Sequence, residues 1–152
     1  MGDAYFHIGS LVQMQNYMQN YSCYSDELIS NNPPDIATVE DSYIPALTPF
    51  VLSADAFDTD GDELQYSIEQ IDNGIVNAAR FGPLSMSGAN FRAQAPRADA
   101  TRYFPNITRV FAQELTQTSP GLNDDCESLT TINKAMHFAL VVRDENPEQS
   151  LQ

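Results

Sequence analysis

Five acids fall within nine residues, Asp55, Asp58, Asp60, Asp62 and Glu63, with Gly61 among them and an alternating apolar run on either side. Carboxylates packed this densely repel one another in a folded loop unless a hard cation gathers them, and calcium, with its all-oxygen shell, suits such a loop. An EF-hand would need acids or amides at loop positions 1, 3 and 5, glycine at 6 and glutamate at 12, between two helices. With Gly61 at the sixth position, Asp58 and Asp60 take the third and fifth, but Ala56 takes the first and Ser67 the twelfth. The flanks disagree with helices as well. Phe50, Leu52, Ala54 and Ala56 alternate with Val51, Ser53 and Asp55, and Leu64, Tyr66 and Ile68 alternate with Gln65, Ser67 and Glu69. Period two on both sides reads as strand, acidic turn, strand. Two readings of the turn stay open: a calcium brace, which leads, and an Asp-Gly turn whose acids are simply solvated.

The 152 residues suffice for one ordinary domain, or a smaller one with a tail, and eight Phe and seven Tyr argue against disorder throughout. A formal charge of −14, from 21 acids against 7 bases with no basic stripe, makes nucleic acid and anionic membranes poor partners. No apolar run is long enough to span a bilayer, so membrane insertion is not expected. Nothing after Met1-Gly2-Asp3 resembles a signal peptide, and the chain is expected to be either cytosolic or a piece of a longer protein. Cys23 and Cys126 leave two readings open. A disulfide between them would close a loop of about a hundred residues, worth about 4 to 5 kcal/mol on the chain-entropy model; the alternative is two unrelated free thiols.

In chain order, Ser10 to Tyr21 reads as an amphipathic helix, with Leu11, Met14, Met18 and Tyr21 on one side and Ser10 with Gln13 at capping-box spacing. Residues 25–34, rich in Ser, Asn, Asp and Pro, read as a linker. The pattern then turns β. Ile36 to Val39 is a short strand candidate, and Pro45 and Pro49 suit an edge. Residues 75–106 are brief strands and loops, and Ile107 to Leu115 holds a helical turn or two. Thr116 to Thr131 is polar and is expected on the surface. Met136, Phe138, Leu140 and Val142 alternate with His137, Ala139, Val141 and Arg143 in the clearest strand of the chain. Short strands with turn signals and no alternating helices predict a mainly β chain, an antiparallel sandwich with a short N-terminal helix. Only a few residues follow Asp144-Glu145-Asn146-Pro147. The sandwich is therefore expected to lack its last strand, leaving an edge that invites pairing with another chain as a dimer.

Several pieces, in order, resemble the C-terminal part of secreted bacterial metallopeptidases of the reprolysin-like (metzincin) type. They are Tyr5-Phe6-His7 with the Ser10 helix, Asn32-Pro33-Pro34, Ile44 to Phe50, the acidic loop through Glu69, Gly82-Pro83-Leu84, Thr101 to Pro105, and Phe138 to Asp144. The resemblance implies that residues 1–24 end a peptidase domain, 25–34 link, and 35–152 form an immunoglobulin-like (cadherin/PKD-like) calcium-binding domain, secreted and extracellular. The family's zinc frame, His-Glu-x-x-His, does not come with it: the chain has only His7 and His137, so zinc and proteolysis belong to the absent peptidase domain. The acidic loop is similar to those of cadherin and PKD-type repeats. That likeness nominates Asp58, Asp60 and Asp62 as calcium ligands, with Asp144 from its strand end and Asn32 as the interdomain asparagine.

The expected function is a non-catalytic, calcium-stabilised accessory domain that spaces, adheres or presents substrate, with the rest of the parent peptidase as first partner and an extracellular protein or polysaccharide as second. The alternative is a carbohydrate or cell-surface module independent of calcium, using exposed rings such as Phe57 or Tyr103; the blander reading puts Tyr103 and Phe104 in the core. An enzyme finds little support. There is no Gly-x-Ser-x-Gly and no phosphate-cradling loop, and acids spaced like Glu69 and Asp72 are usually solvated.

Overall fold

The two stretches with the cleanest period-two pattern form the longest ladder. In the computed structural model, which describes residues 5–21, 31–121 and 124–144, β4 (Leu64–Gln70) and β6 (Phe138–Asp144) pair antiparallel from Leu64 opposite Asp144 to Gln70 opposite Phe138. A second antiparallel ladder joins β2 (Phe50–Ser53) to β5 (Thr101–Phe104), with Phe50 opposite Phe104 and Leu52 opposite Arg102. A third, of two residues a side, joins β1 (Asp35–Ile36) to β3 (Ala56–Phe57). Among the described residues these three two-stranded sheets and two helices make a small β-rich fold.

The expected strand from Phe50 to Ala56 is divided between two ladders. Ala54 N–H still bonds Ala100 O, whereas Asp55 O already accepts from Ala37 N–H. The chain changes sheets between these two residues. As a result the acidic turn connects β3 to β4, which belong to different ladders, and is not the tip of a hairpin.

Alternation puts Phe50, Leu52 and Phe104 on one face of the β2–β5 ladder and Ile68, Leu140 and Phe138 on one face of β4–β6. These six side chains share a core with Phe91, Leu129, Leu115 and Met136. Phe50 stacks on Phe104 at 4.9 Å, and Phe104 meets Phe138 edge-on at 5.0 Å, so aromatic pairs bind the two ladders to each other. Such pairs contribute about 0.5–1.5 kcal/mol each beyond the area they bury.

Three expectations are corrected. The N-terminal helix α1 runs Ile8–Gln19 with His7 at its N-cap, three residues earlier than the Ser10–Gln13 spacing predicts, and no side chain caps it locally. Its first free N–H, on Ile8, is 3.3 Å from Glu69 Oε2 on β4, so a distant carboxylate sits at the positive end of the helix. The second correction concerns residues 116–131, expected at the surface. Glu127, Ser128, Leu129 and Thr130 are buried, with Leu129 in the central cluster. Third, Tyr103 is 44% exposed and only Phe104, at 0%, is a core residue, because consecutive strand residues face opposite sides.

The short helix α2 (Ile107–Phe111) falls where a helical turn is expected and is capped by Asn106 Oδ1, which accepts from Thr108 N–H at 3.0 Å. The outer face of β4–β6 is covered from the N-terminus. Arg143 reaches Phe6 O at 2.8 Å and Ser67 Oγ at 3.0 Å, and Glu69 is 4% exposed beneath this segment.

Candidate functional site at the acidic turn

A turn rich in Asp must give its carboxylates donors, and here the backbone supplies them. Asp58 Oδ1 accepts from the N–H groups of Asp60 at 2.7 Å, Gly61 at 2.9 Å and Asp62 at 3.3 Å. Gly61 takes φ +85°, a conformation that costs glycine little and other residues more, and this lets the loop curl around the Asp58 side chain. The Asp60 carboxylate is held from outside by Asn32, through its backbone N–H at 2.6 Å and its side-chain amide at 3.0 and 3.1 Å. Asn31 Nδ2 donates to Asp144 Oδ2 at 2.5 Å.

Asp58, Asp60 and Asp62 thus share one turn, and Asn32 adjoins it. The register sets Asp144 opposite Leu64, at the end of the ladder that the turn enters. Asn32 presents its N–H groups to Asp60, an arrangement in which it binds a carboxylate. Among the described residues no three or more Asp, Glu, His or Cys side chains converge as a metal-holding group. One atom does fit a cation: Asp58 Oδ2 is buried and accepts no hydrogen bond. Cys126 carries a free thiol, 3.4 Å from Asp124 O, and Cys23 lies outside the described residues.

Two further ionic networks have no counterpart in the sequence reading. Arg102, 3% exposed, pairs with Glu127, 1% exposed, at 3.0 Å. Arg102 also bonds Ile68 O at 2.5 Å and Arg92 O at 2.7 Å, while Glu127 accepts from Gln94 at 3.2 Å and from Asn106 N–H at 2.5 Å. Burial pushes the Arg102 guanidinium down, and Glu127 opposes that shift. The guanidinium lies 4.5 Å over the Phe104 ring, tying the pair to the aromatic core.

The second network starts at Asp72, expected in solvent together with Glu69. Instead Asp72 Oδ1 lies 2.6 Å from His137 Nδ1, and Oδ2 accepts from Gln70 Nε2 at 2.6 Å and from His137 N–H at 3.1 Å. Burial raises the Asp72 carboxyl, but the bonds from His137 and Gln70 outweigh it, and the group titrates below the usual carboxylate value. Gln70 Oε1 then accepts from Asn90 and Phe91 N–H, and Asn90 Oδ1 accepts from Lys134 Nζ at 2.5 Å. Glu69 likewise has a partner in His7, at 3.4 Å. Local sequence gives no clue to it: Gln70 and Asp72 stand in a mostly polar strand end, Glu69-Gln70-Ile71-Asp72-Asn73-Gly74, that reads as a solvated turn.

The fold and the turn define a small β-rich protein with an Asp-rich loop. No family model, curated protein or solved structure matches the chain.

Proposed function

We propose that this chain is a non-catalytic, calcium-stabilised accessory domain, built as an immunoglobulin-like (cadherin/PKD-like) sandwich that lacks its last strand, from a secreted reprolysin-like metallopeptidase. The observation that carries the calcium reading is Asp58 Oδ2, a buried carboxylate oxygen with no donor inside the most acid-dense turn of the chain. Calcium there would be held by Asp58 and Asp60, with Asp62, Asn32 and Asp144 beside them, and would lower the repulsion among their charges. The shared Phe core of two antiparallel ladders supports the sandwich reading, and the metallopeptidase assignment rests on the resemblance of the quoted segments. The work of such a domain is to space, to adhere or to present substrate to the parent peptidase.

Calorimetry in chelator against 10 mM calcium tests this. Sites of millimolar affinity would stabilise the fold by about 1.4 kcal/mol at tenfold excess, or about 3–6 °C in a chain of this size. Asp58→Asn should remove the shift, and an identical melt with and without calcium sinks the proposal. A second reading, a carbohydrate module, is favoured by Phe57, 61% exposed on β3, and Tyr103 on β5; calcium-independent retention on a glycan column, lost in Phe57→Ala, would support it.

A further inference from the structure

Between the segment that leads into β2 and the segment that leads into β6 lies an open cleft of about 240 Å³. Ile44 and Leu47 line it from the first segment, and Leu129, Ile132 and Met136 from the second. Leu47 N–H bonds Thr130 O at 2.8 Å, joining the two walls, and this holds Leu47 at φ 59°, a left-handed conformation that leucine seldom adopts. The rim is therefore a built feature with its apolar side chain set in place.

Its electrostatics run against the rest of the chain. In a protein with 21 acids and 7 bases, no Asp or Glu among the described residues lines the cleft, and the one charged residue among them that does is Lys134, the only lysine in the sequence. The Lys134 ammonium is part-buried and bonds only neutral acceptors, Gly88 O at 2.7 Å and Asn90 Oδ1 at 2.5 Å. Among the described residues it has no carboxylate at ion-pair distance, and two bonds leave one of its three donors over. A part-buried cation whose opposing charge, Asp72, acts on it only from beyond ion-pair distance, beside an apolar cleft, makes a site for an anion with an apolar body.

We infer that this cleft binds a small monocarboxylate with a hydrocarbon tail, the tail between Leu47, Ile132 and Met136 and the carboxylate toward Lys134. At about 30 Å³ for each water-sized volume, the space corresponds to about eight waters, which suits an acid of about ten non-hydrogen atoms. The inference does not depend on the calcium reading, since the cleft and the acidic turn share no residues.

Isothermal titration of the whole chain with octanoate, and separately with the neutral octan-1-ol, tests it. Saturable octanoate binding is expected, at least about tenfold tighter than octanol and weakening as salt screens the charge. Lys134→Met should abolish that preference. Because Lys134 also tethers Gly88 and Asn90, a second variant, Leu47→Asp, places a repelling carboxylate at the exposed rim, where a left-handed backbone suits aspartate. It should weaken octanoate at least about tenfold, with an unchanged melting temperature as the check on folding. Absence of saturable octanoate binding up to 10 mM overturns the inference. So does equal affinity for octanoate and octanol, or octanoate affinity that is unchanged in Leu47→Asp.

Discussion

Glu127 and Asp58 are both carboxylates in a chain with three times as many acids as bases, and they are stabilised in opposite ways. Glu127 is buried at 1% exposure and relies on one partner of opposite charge, Arg102, with further donors from Gln94 and Asn106. Asp58 is half-buried in its turn and relies on dipoles, three backbone N–H groups at one of its oxygens. In the interior, charge has to be cancelled, because the dielectric is low and water is absent. At a turn, the geometry of the backbone suffices for one oxygen, and the other accepts no hydrogen bond.

The largest effect should come from the interior. Glu127→Ala leaves Arg102 charged and unpaired beneath the Phe cluster and should cost about 3–5 kcal/mol, read as a lower midpoint in urea. Replacing both partners by apolar residues of similar size should recover most of that loss; a double variant as unstable as the single one would show that the pair does more than cancel charge. At the turn, Asp58→Ala in chelator removes an acceptor for three N–H groups and should cost about 0.5–2 kcal/mol, as loss of a helix cap does. A loss as large as that of Glu127→Ala would erase the distinction between the two regions.

Asp72 stands between these extremes, half inside and bonded to both Gln70 and His137. Asp72→Asn should cost about 1 kcal/mol at neutral pH, the scale of one net hydrogen bond. Its folded carboxyl titrates below the ordinary 3.8 despite the opposing effect of burial, through its bonds to His137 and Gln70. The stability it contributes is therefore present above pH 3.8 and is lost as pH falls through the lower folded value. Acid unfolding should be less steep in that window in Asp72→Asn, which calorimetry between pH 2 and 5 would measure; an unaltered acid limb would mean that the His137 contact adds nothing to the folded state.

Much of the β architecture could be read from local pattern. The alternations at 64–69 and 136–142 correspond to β4 and β6, and the acid count marked the turn between β3 and β4. The pairing could not be read that way, because a period of two fixes which face a residue takes and says nothing of which strand lies beside it. The switch of ladders between Ala54 and Asp55, inside one unbroken alternation, depends on partners at Ala100 and Ala37 that are far away in sequence. The start of α1 was misplaced for a related reason. Local spacing offered Ser10 and Gln13 as a cap, while the helix took its acceptor from Glu69, some sixty residues on.

What the chain alone determined, then, is its alternating strands, its acid-dense turn and its surplus of negative charge, since each is a property of neighbouring residues. Only the tertiary structure decided that Glu127 to Thr130, polar and unpatterned, belong inside. A polar segment is buried when distant groups such as Arg102, Gln94 and Asn106 converge to satisfy it, and that convergence exists only once the strands have packed.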